Sequence, residues 1–293
     1  MRGKFFITDV FGQEKYSGNQ LATFIDCQAF SGGEMLQIAR EFNFAETTFI
    51  VSDLDPVNSG YDVRIFTPES EIDFAGHPTL GTAFIISHFL QKKVTEVVRL
   101  NLRVGQIPVQ TPLRNLSEPL WMTQIEPSFG KTFTPEYLSP ILSLPESAFH
   151  ETLPIQEVST GLPFLIVPLK SLDFLKKAFV DMRRYPEFLK KTTAKGILIF
   201  CSPGYCLDET MAVRVFVPCL GVPEDPATGS ANGCLTGYLL KNGHVNQELQ
   251  ATVGQGHEIG RPSKLYLRGK VINGKINIQV GGKVVLIAQG EWC

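Results

Sequence analysis

The feature that most constrains this chain is a pair of short blocks that occurs twice in the same order. VRIFTP at 63–68 is answered by VRVFVP at 213–218, and HPTLGTA at 77–83 by DPATGSA at 225–231. The offsets are 150 and 148 residues, so a two-residue deletion in the intervening turn aligns both blocks. In that alignment Pro78 matches Pro226, Gly81 matches Gly229, Thr82 matches Ser230 and His77 stands where Asp225 stands. Each second block runs into an apolar stretch, FIISHFL in the first half and NGCLTGYLL in the second. Such spacing reads as an internal duplication of about half the chain. A helix that is apolar all round cannot lie on a surface. The expected fold is therefore α+β, with two pseudo-symmetric domains, each a barrel-like sheet around a central apolar helix.

The 293 residues agree with two domains at about 150 residues each. The seam is placed in IEPSFGKTFTP (125–135), where periodicity is lost and Pro, Gly and Ser collect. The halves are then 1–127 and 128–293, the last strand packing back on the first half. Local signals fill in the elements. Ser31 with Glu34 forms a capping box, and Met35, Ile38, Ala39 and Phe42 recur at helical spacing until Asn43. A strand follows with Glu46 at its threshold, and the first central helix is expected from about Pro78 to Leu90. Asn273-Gly274 between β-rich runs predicts a hairpin.

Several functions are excluded. Apolar residues at 43% and charged residues at 19% are incompatible with a disordered chain. Lys and Arg number 27 against 29 Asp and Glu, with no basic run, so no nucleic-acid partner is expected. No stretch approaches the roughly 18 apolar residues of a membrane span, and no membrane partner is expected. MRGKFFITDVF lacks a signal peptide's cleavage site. Six cysteines without a CxxC pair read as reduced thiols of a cytoplasmic protein. There is no HExxH, Cys/His cluster, GxxxxGK[ST], strand-linked GxGxxG or GxSxG, so no metal and no cofactor are expected.

What remains is chemistry at helix entrances. AGHPTLGTA and EDPATGSA both bring Gly, Pro and a hydroxyl residue to the start of a helix. The N–H groups of such a turn attract carboxylates. Taken alone, each block reads as ordinary capping, His77 as a capping or core residue and Asp225 as an N-cap acid. At matched positions His77 and Asp225 are expected to meet across a cleft, where they orient a substrate and stabilise charge. Glu46 has Phe44, Ala45 and Phe49 as neighbours. It is either a solvated helix-end residue or a cleft acid/base whose burial favours the protonated form. Arg64 and Arg214, alike in mid-strand, read as braces. His88 reads as packing, while His150, His244 and His257 have no partner at metal-ligand spacing.

SGNQLA, IAREFNFAETTF, VRIFTPESEIDFAGHPTLGTA and EDPATGSA, in that order, resemble the PhzF-like family of phenazine biosynthesis, which is related to diaminopimelate epimerase. The resemblance covers nearly the whole chain. It implies a homodimer, an active site between two domains and a cofactor-free isomerase of a small carboxylic acid. The best-known member moves a double bond in a dihydro-hydroxyanthranilate. Residue by residue, it implies that Glu46 is the acid/base and that His77 and Asp225 line the cleft. Gly76, Gly229 and Ser230 would hold the substrate carboxylate, and Asn19 would face the substrate. Racemases resembling this fold use two thiols just before the Gly of each helix entrance, where this chain has Ala75 and Thr228. Two-thiol racemisation is thereby disfavoured. The alternatives are an amino-acid racemase or epimerase with altered bases, and a non-catalytic binding protein that retains the site.

Overall fold

The computed structural model describes residues 3–52, 60–91, 95–113, 118–242 and 247–293; His244 lies outside them. The fold mixes α and β structure in two compact units, Met1–Thr123 with Gly281–Cys293, and Gln124–Val280.

The first unit contains β1 (Gly3–Val10), β2 (Asn19–Ile25), β3 (Glu46–Ser52), β4 (Tyr61–Phe66), β5 (Glu71–Ile72), β6 (Val97–Leu102), β7 (Gly105–Gln110) and β8 (Leu120–Gln124). The chain's last strand, β18 (Val284–Trp292), also belongs to it. β1 lies antiparallel to both β2 and β18. β2 is parallel to β3, β3 antiparallel to β4, and β4 antiparallel to β5 and parallel to β6. A parallel neighbour requires a crossover, and α1 (Gly32–Phe42) makes the one from β2 to β3. Ser31 and Glu34 cap its start reciprocally, and Asn43 ends it in the left-handed region at φ 51°. Its Met35, Ile38 and Ala39 pack on Phe24, Phe49 and Phe66.

α2 (Gly76–Ile85) is buried at every residue. It packs against β1, β2, β3, β6, β7 and β18. Gly81 permits the approach: a Cβ there would lie 2.5 Å from Leu21 Cδ2 and 2.8 Å from Val10 Cγ2. The predicted helix to Leu90 changes pitch at its end, where Ile86–Leu90 forms a π turn. The Phe84 carbonyl lies 2.8 Å from His88 Nδ1 and accepts from Ser87 Oγ at 3.0 Å. Side chains that compete for a helix carbonyl loosen the ordinary ladder, and Gln91 N–H reaches back to the Ile86 carbonyl at 2.9 Å.

The second unit contains β9 (Ser128–Phe133), α3 (Pro135–Leu142), β10 (Ile155–Ser159), β11 (Pro163–Pro168), α4 (Leu172–Lys177) and α5 (Tyr185–Lys191). Then come β12 (Gly196–Cys201), β13 (Met211–Val217), β14 (Val222–Asp225), α6 (Gly229–Lys241), β15 (Glu248–Gln255), β16 (Ser263–Ile272) and β17 (Lys275–Gly282). β10 is antiparallel to β11, β11 parallel to β12, β12 antiparallel to β13, and β13 antiparallel to β14 and parallel to β15. α6 is buried from Gly229 to Leu240 and packs on β10, β11, β15 and β16. The chain reverses at Asn273-Gly274, both with positive φ (52° and 77°), as a tight β-turn of that composition requires. Among the described residues no helix is long and apolar enough to cross a membrane.

The expected equivalence of His77 and Asp225 is incorrect. α2 begins at Gly76 and α6 at Gly229, so the helix position of His77 corresponds to Ser230. Asp225 ends β14 opposite Val215, as Ile72 ends β5 opposite Ile65. The matched prolines misled the alignment. Pro78 lies inside the first turn of α2, whereas Pro226 precedes α6, and proline is tolerated at either kind of position.

Two arginines brace the strands that lead to the central helices. Arg64 donates to both carboxylate oxygens of Glu71 at 2.8 and 2.7 Å. Arg214 does the same to Glu224 at 2.9 and 2.8 Å, and its third nitrogen donates to the carbonyls of Leu175, Lys176 and Ala178. The side chain of Arg64 is 33% exposed and that of Arg214 only 7%. Removing one partner of a buried pair strands the other charge, at a cost of about 3–5 kcal/mol; a half-exposed pair contributes about 1 kcal/mol or less. Arg214→Met is therefore expected to lower the urea midpoint well below that of Arg64→Met. Equal midpoints would refute the burial argument.

Candidate active site

Glu46 is the first residue of β3, next to Leu21 of β2 in register. The end of α1 at Asn43 leaves only two residues before the strand, so the carboxyl group is presented where strand and helix part. His77 is the second residue of α2. Their side chains meet, with Nε2 of His77 3.3 Å from Oε2 of Glu46, at 6% and 17% exposure. The His77 ring also hydrogen-bonds to the backbone of Gln20. Asn19, beside Gln20 at the start of β2, is buried. Gly76 opens α2, and its N-cap, Ala75, has no side chain to cap the first turn.

Burial is the main influence on His77 and lowers its pKa from 6.5 to about 3, against the opposing effect of the Gln20 hydrogen bond. The imidazole is therefore neutral near pH 7. A backbone bond that favours the charged form is one the ring donates, so Nε2, on the other side, carries the lone pair. A lone pair and a carboxylate oxygen repel at 3.3 Å, and one proton between them turns the contact into attraction. The pair can thus hold a single transferable proton. Among the described residues no group of three or more His, Cys, Asp or Glu side chains could hold a metal ion.

Asp225, Gly229 and Ser230 belong to the second unit. Asp225 is buried at the end of β14 and accepts a 2.5 Å hydrogen bond on Oδ2 from Thr228 Oγ1. Thr228 is the N-cap of α6, yet its side chain makes no cap bond. Gly229 and Ser230 open α6, both buried. The sequence reading missed Gln255, the last residue of β15, which is fully buried. Its Nε2 donates to the Asp225 carbonyl at 2.8 Å and to Thr228 Oγ1 at 3.1 Å. Its Oε1 accepts from Thr228 N–H at 3.4 Å and from Asn232 Nδ2 at 2.9 Å. The only sequence signal was a glutamine followed by glycine in a β-rich segment, which names no partner 30 residues away.

A family model described as phenazine biosynthesis-like protein, PhzC–PhzF, matches residues 8–290. The chain belongs to this family. The trans-2,3-dihydro-3-hydroxyanthranilate isomerase of Pseudomonas aeruginosa is 32% identical, with 98% of each chain covered. The enzyme of the same name from Pseudomonas chlororaphis is also 32% identical, again with 98% of each covered. The solved PhzF-family structure from Bacillus anthracis has a TM-score of 0.90 at 27% identity, covering 100% of this chain and 99% of its own. The protein is thus a PhzF-family isomerase. A hydroxyproline epimerase from Agrobacterium vitis, at TM-score 0.64 and 8% identity over 99% of this chain and 92% of its own, shares the fold.

The depressed pKa of His77 has a consequence for stability. The unfolded chain takes up a proton at this residue below about pH 6.5, while the folded chain does not until about pH 3. The unfolded state binds more protons across that window, so stability falls on acidification through it. His77→Gln is expected to flatten this part of the pH–stability curve measured by urea denaturation. In the parent protein the His77 ring resonances should not titrate between pH 5 and 8, and a midpoint near 6.5 would contradict its burial.

Proposed function

We propose that this PhzF-family isomerase shifts a proton within a small unsaturated carboxylic acid, with Glu46 as its single acid/base. The observation that carries the reading is the shielded contact between Glu46 and neutral His77. The carboxylate of Glu46 takes a proton from a carbon next to an unsaturated system, and the electron pair spreads into that system. The carboxyl group then returns a proton to another carbon of the same face, so nothing is oxidised or reduced and the shift needs no cofactor. His77, through Nε2, steadies the proton on Glu46 between the two steps. Asp225 positions the substrate. Gly76, Gly229 and Ser230, at helix starts without side-chain caps, anchor the carboxylate, and Asn19 faces the substrate.

The names of the Pseudomonas relatives favour a hydroxylated, amino-substituted cyclic acid as the first compound to test. Ala75 and Thr228 stand at the two N-caps and neither can act as a thiolate, which disfavours a two-thiol racemase. The same succession of strand pairings in both units, parallel then antiparallel then parallel, supports an origin by duplication, with barrel-like pseudo-symmetric halves near 1–127 and 128–293, the last strand, β18, packing back on the first half. A cytoplasmic homodimer completes the proposal.

The test is isomerisation of trans-2,3-dihydro-3-hydroxyanthranilate in deuterated water. The parent protein is expected to incorporate deuterium at the carbon that receives the proton. Glu46→Gln should lower turnover by about 10²–10⁴-fold while still binding 3-hydroxyanthranilate, an aromatic acid of similar shape, in calorimetry. Full turnover by Glu46→Gln would end the proposal.

A further inference from the structure

The hydrogen bonds around Gln255 carry an inference that deepens this reading and rests on it: we infer that Gln255 is a positioning residue, which turns the hydroxyl of Thr228 away from its own helix and onto Asp225. A threonine at an N-cap ordinarily accepts from an N–H of the first turn. Here that role is not filled, since Thr228 makes no cap bond. The lone pair of Oγ1 instead receives Nε2–H of Gln255 at 3.1 Å. An amide nitrogen only donates, so the hydroxyl proton cannot point back at it. It points at Asp225 Oδ2, 2.5 Å away. The direction of the whole relay, from Gln255 through Thr228 to Asp225, is set by the amide.

The orientation of that amide is determined by its surroundings. Two acceptors, the Asp225 carbonyl and Thr228 Oγ1, lie on one side. Two donors, Thr228 N–H and Asn232 Nδ2, lie on the other. A flipped amide would set donor against donor and acceptor against acceptor. Glutamine alone among the side chains offers two donors and a two-lone-pair acceptor at this reach. Asn232 adds a second tie, donating to the Thr228 carbonyl at 3.0 Å. Gly256, next in the chain, has φ +77°, and a Cβ there would lie 2.6 Å from the Pro226 carbonyl oxygen. Backbone, not a yielding side chain, closes that space, so the end of β15 is pressed directly on the 225–228 segment. Gln255 is not placed to touch substrate; it acts through Asp225.

The experiment uses the full chain with Thr228→Val, Thr228→Ser and Gln255→Met. Hydrogen–deuterium exchange by mass spectrometry reads residues 226–232 against β11, β12 and β13, and the isomerase assay with trans-2,3-dihydro-3-hydroxyanthranilate reads kcat and KM. Thr228→Val and Gln255→Met are expected to speed exchange in 226–232 by about tenfold, the scale of one buried hydrogen bond, with the three strands unchanged. Thr228→Val should lower kcat about tenfold with KM within about threefold, and Thr228→Ser, which keeps the hydroxyl, should show parental exchange at 226–232 and parental kcat. Unchanged exchange at 226–232 would overturn the inference, as would loss of protection throughout the unit in Thr228→Val. Local loosening with parental kcat in Thr228→Val would overturn it too. Should the parent protein not turn this compound over, the substrate reading falls, while the exchange data still decide whether Gln255 and Thr228 position the 225–230 segment.

Discussion

α2 has no face for water. All ten of its residues are buried, so strands must approach from every side, and each polar group it carries must find a partner inside the fold. Gly81 lets Leu21 and Val10 come close, and the hydroxyls of Thr82, Thr48 and Thr23 bond one to the next between helix and strands. His77, one residue into the same helix, is desolvated by the same packing, and its neutrality follows from that. The contact with Glu46 is therefore a product of how the helix is enclosed, not of two residues chosen independently.

The second unit meets the same constraint with a different polar set. α6 is buried through Leu240, and the strand before its start ends in a buried carboxylate. Arg214 fixes that strand by gripping Glu224, the residue before Asp225, and by donating to the last carbonyls around α4. Buried charge is tolerable there because the guanidinium is met on each side. Gln255 does for the loop what Arg214 does for the strand, without any charge. Arg214 anchors the residue before Asp225, and Gln255 holds the Asp225 carbonyl itself.

Much of this was legible in the chain because it rests on short-range chemistry. The capping box of Ser31 and Glu34, the halt at Asn43, the turn at Asn273-Gly274 and the strand starting at Glu46 each depend on residues within one or two turns of each other. The apolar run after Gly76 announced a buried helix for the same reason. The π turn at Ile86–Leu90 was not legible, since it depends on side chains of Ser87 and His88 taking the Phe84 carbonyl. The matching of His77 with Asp225 failed because letters were aligned where helix starts were needed. A proline inside α2 and a proline before α6 look alike in a sequence.

By itself, then, the amino-acid order determined the helix after Ser31, the strand at Glu46, the turn at Asn273-Gly274, which two helices are enclosed, and the family to which the chain belongs, because periodicity, caps and motif blocks are local properties; the strand Ser128–Phe133, inside the segment read as a patternless seam, was not among them. Only the tertiary structure decided that Nε2 of His77 stands 3.3 Å from Glu46, that Thr228 forsakes its helix for Asp225, and that Gln255 directs it. Those contacts join residues about 30 positions apart or reverse a local preference, and their protonation and direction depend on exclusion from water, which exists only after the strands have closed around the helices.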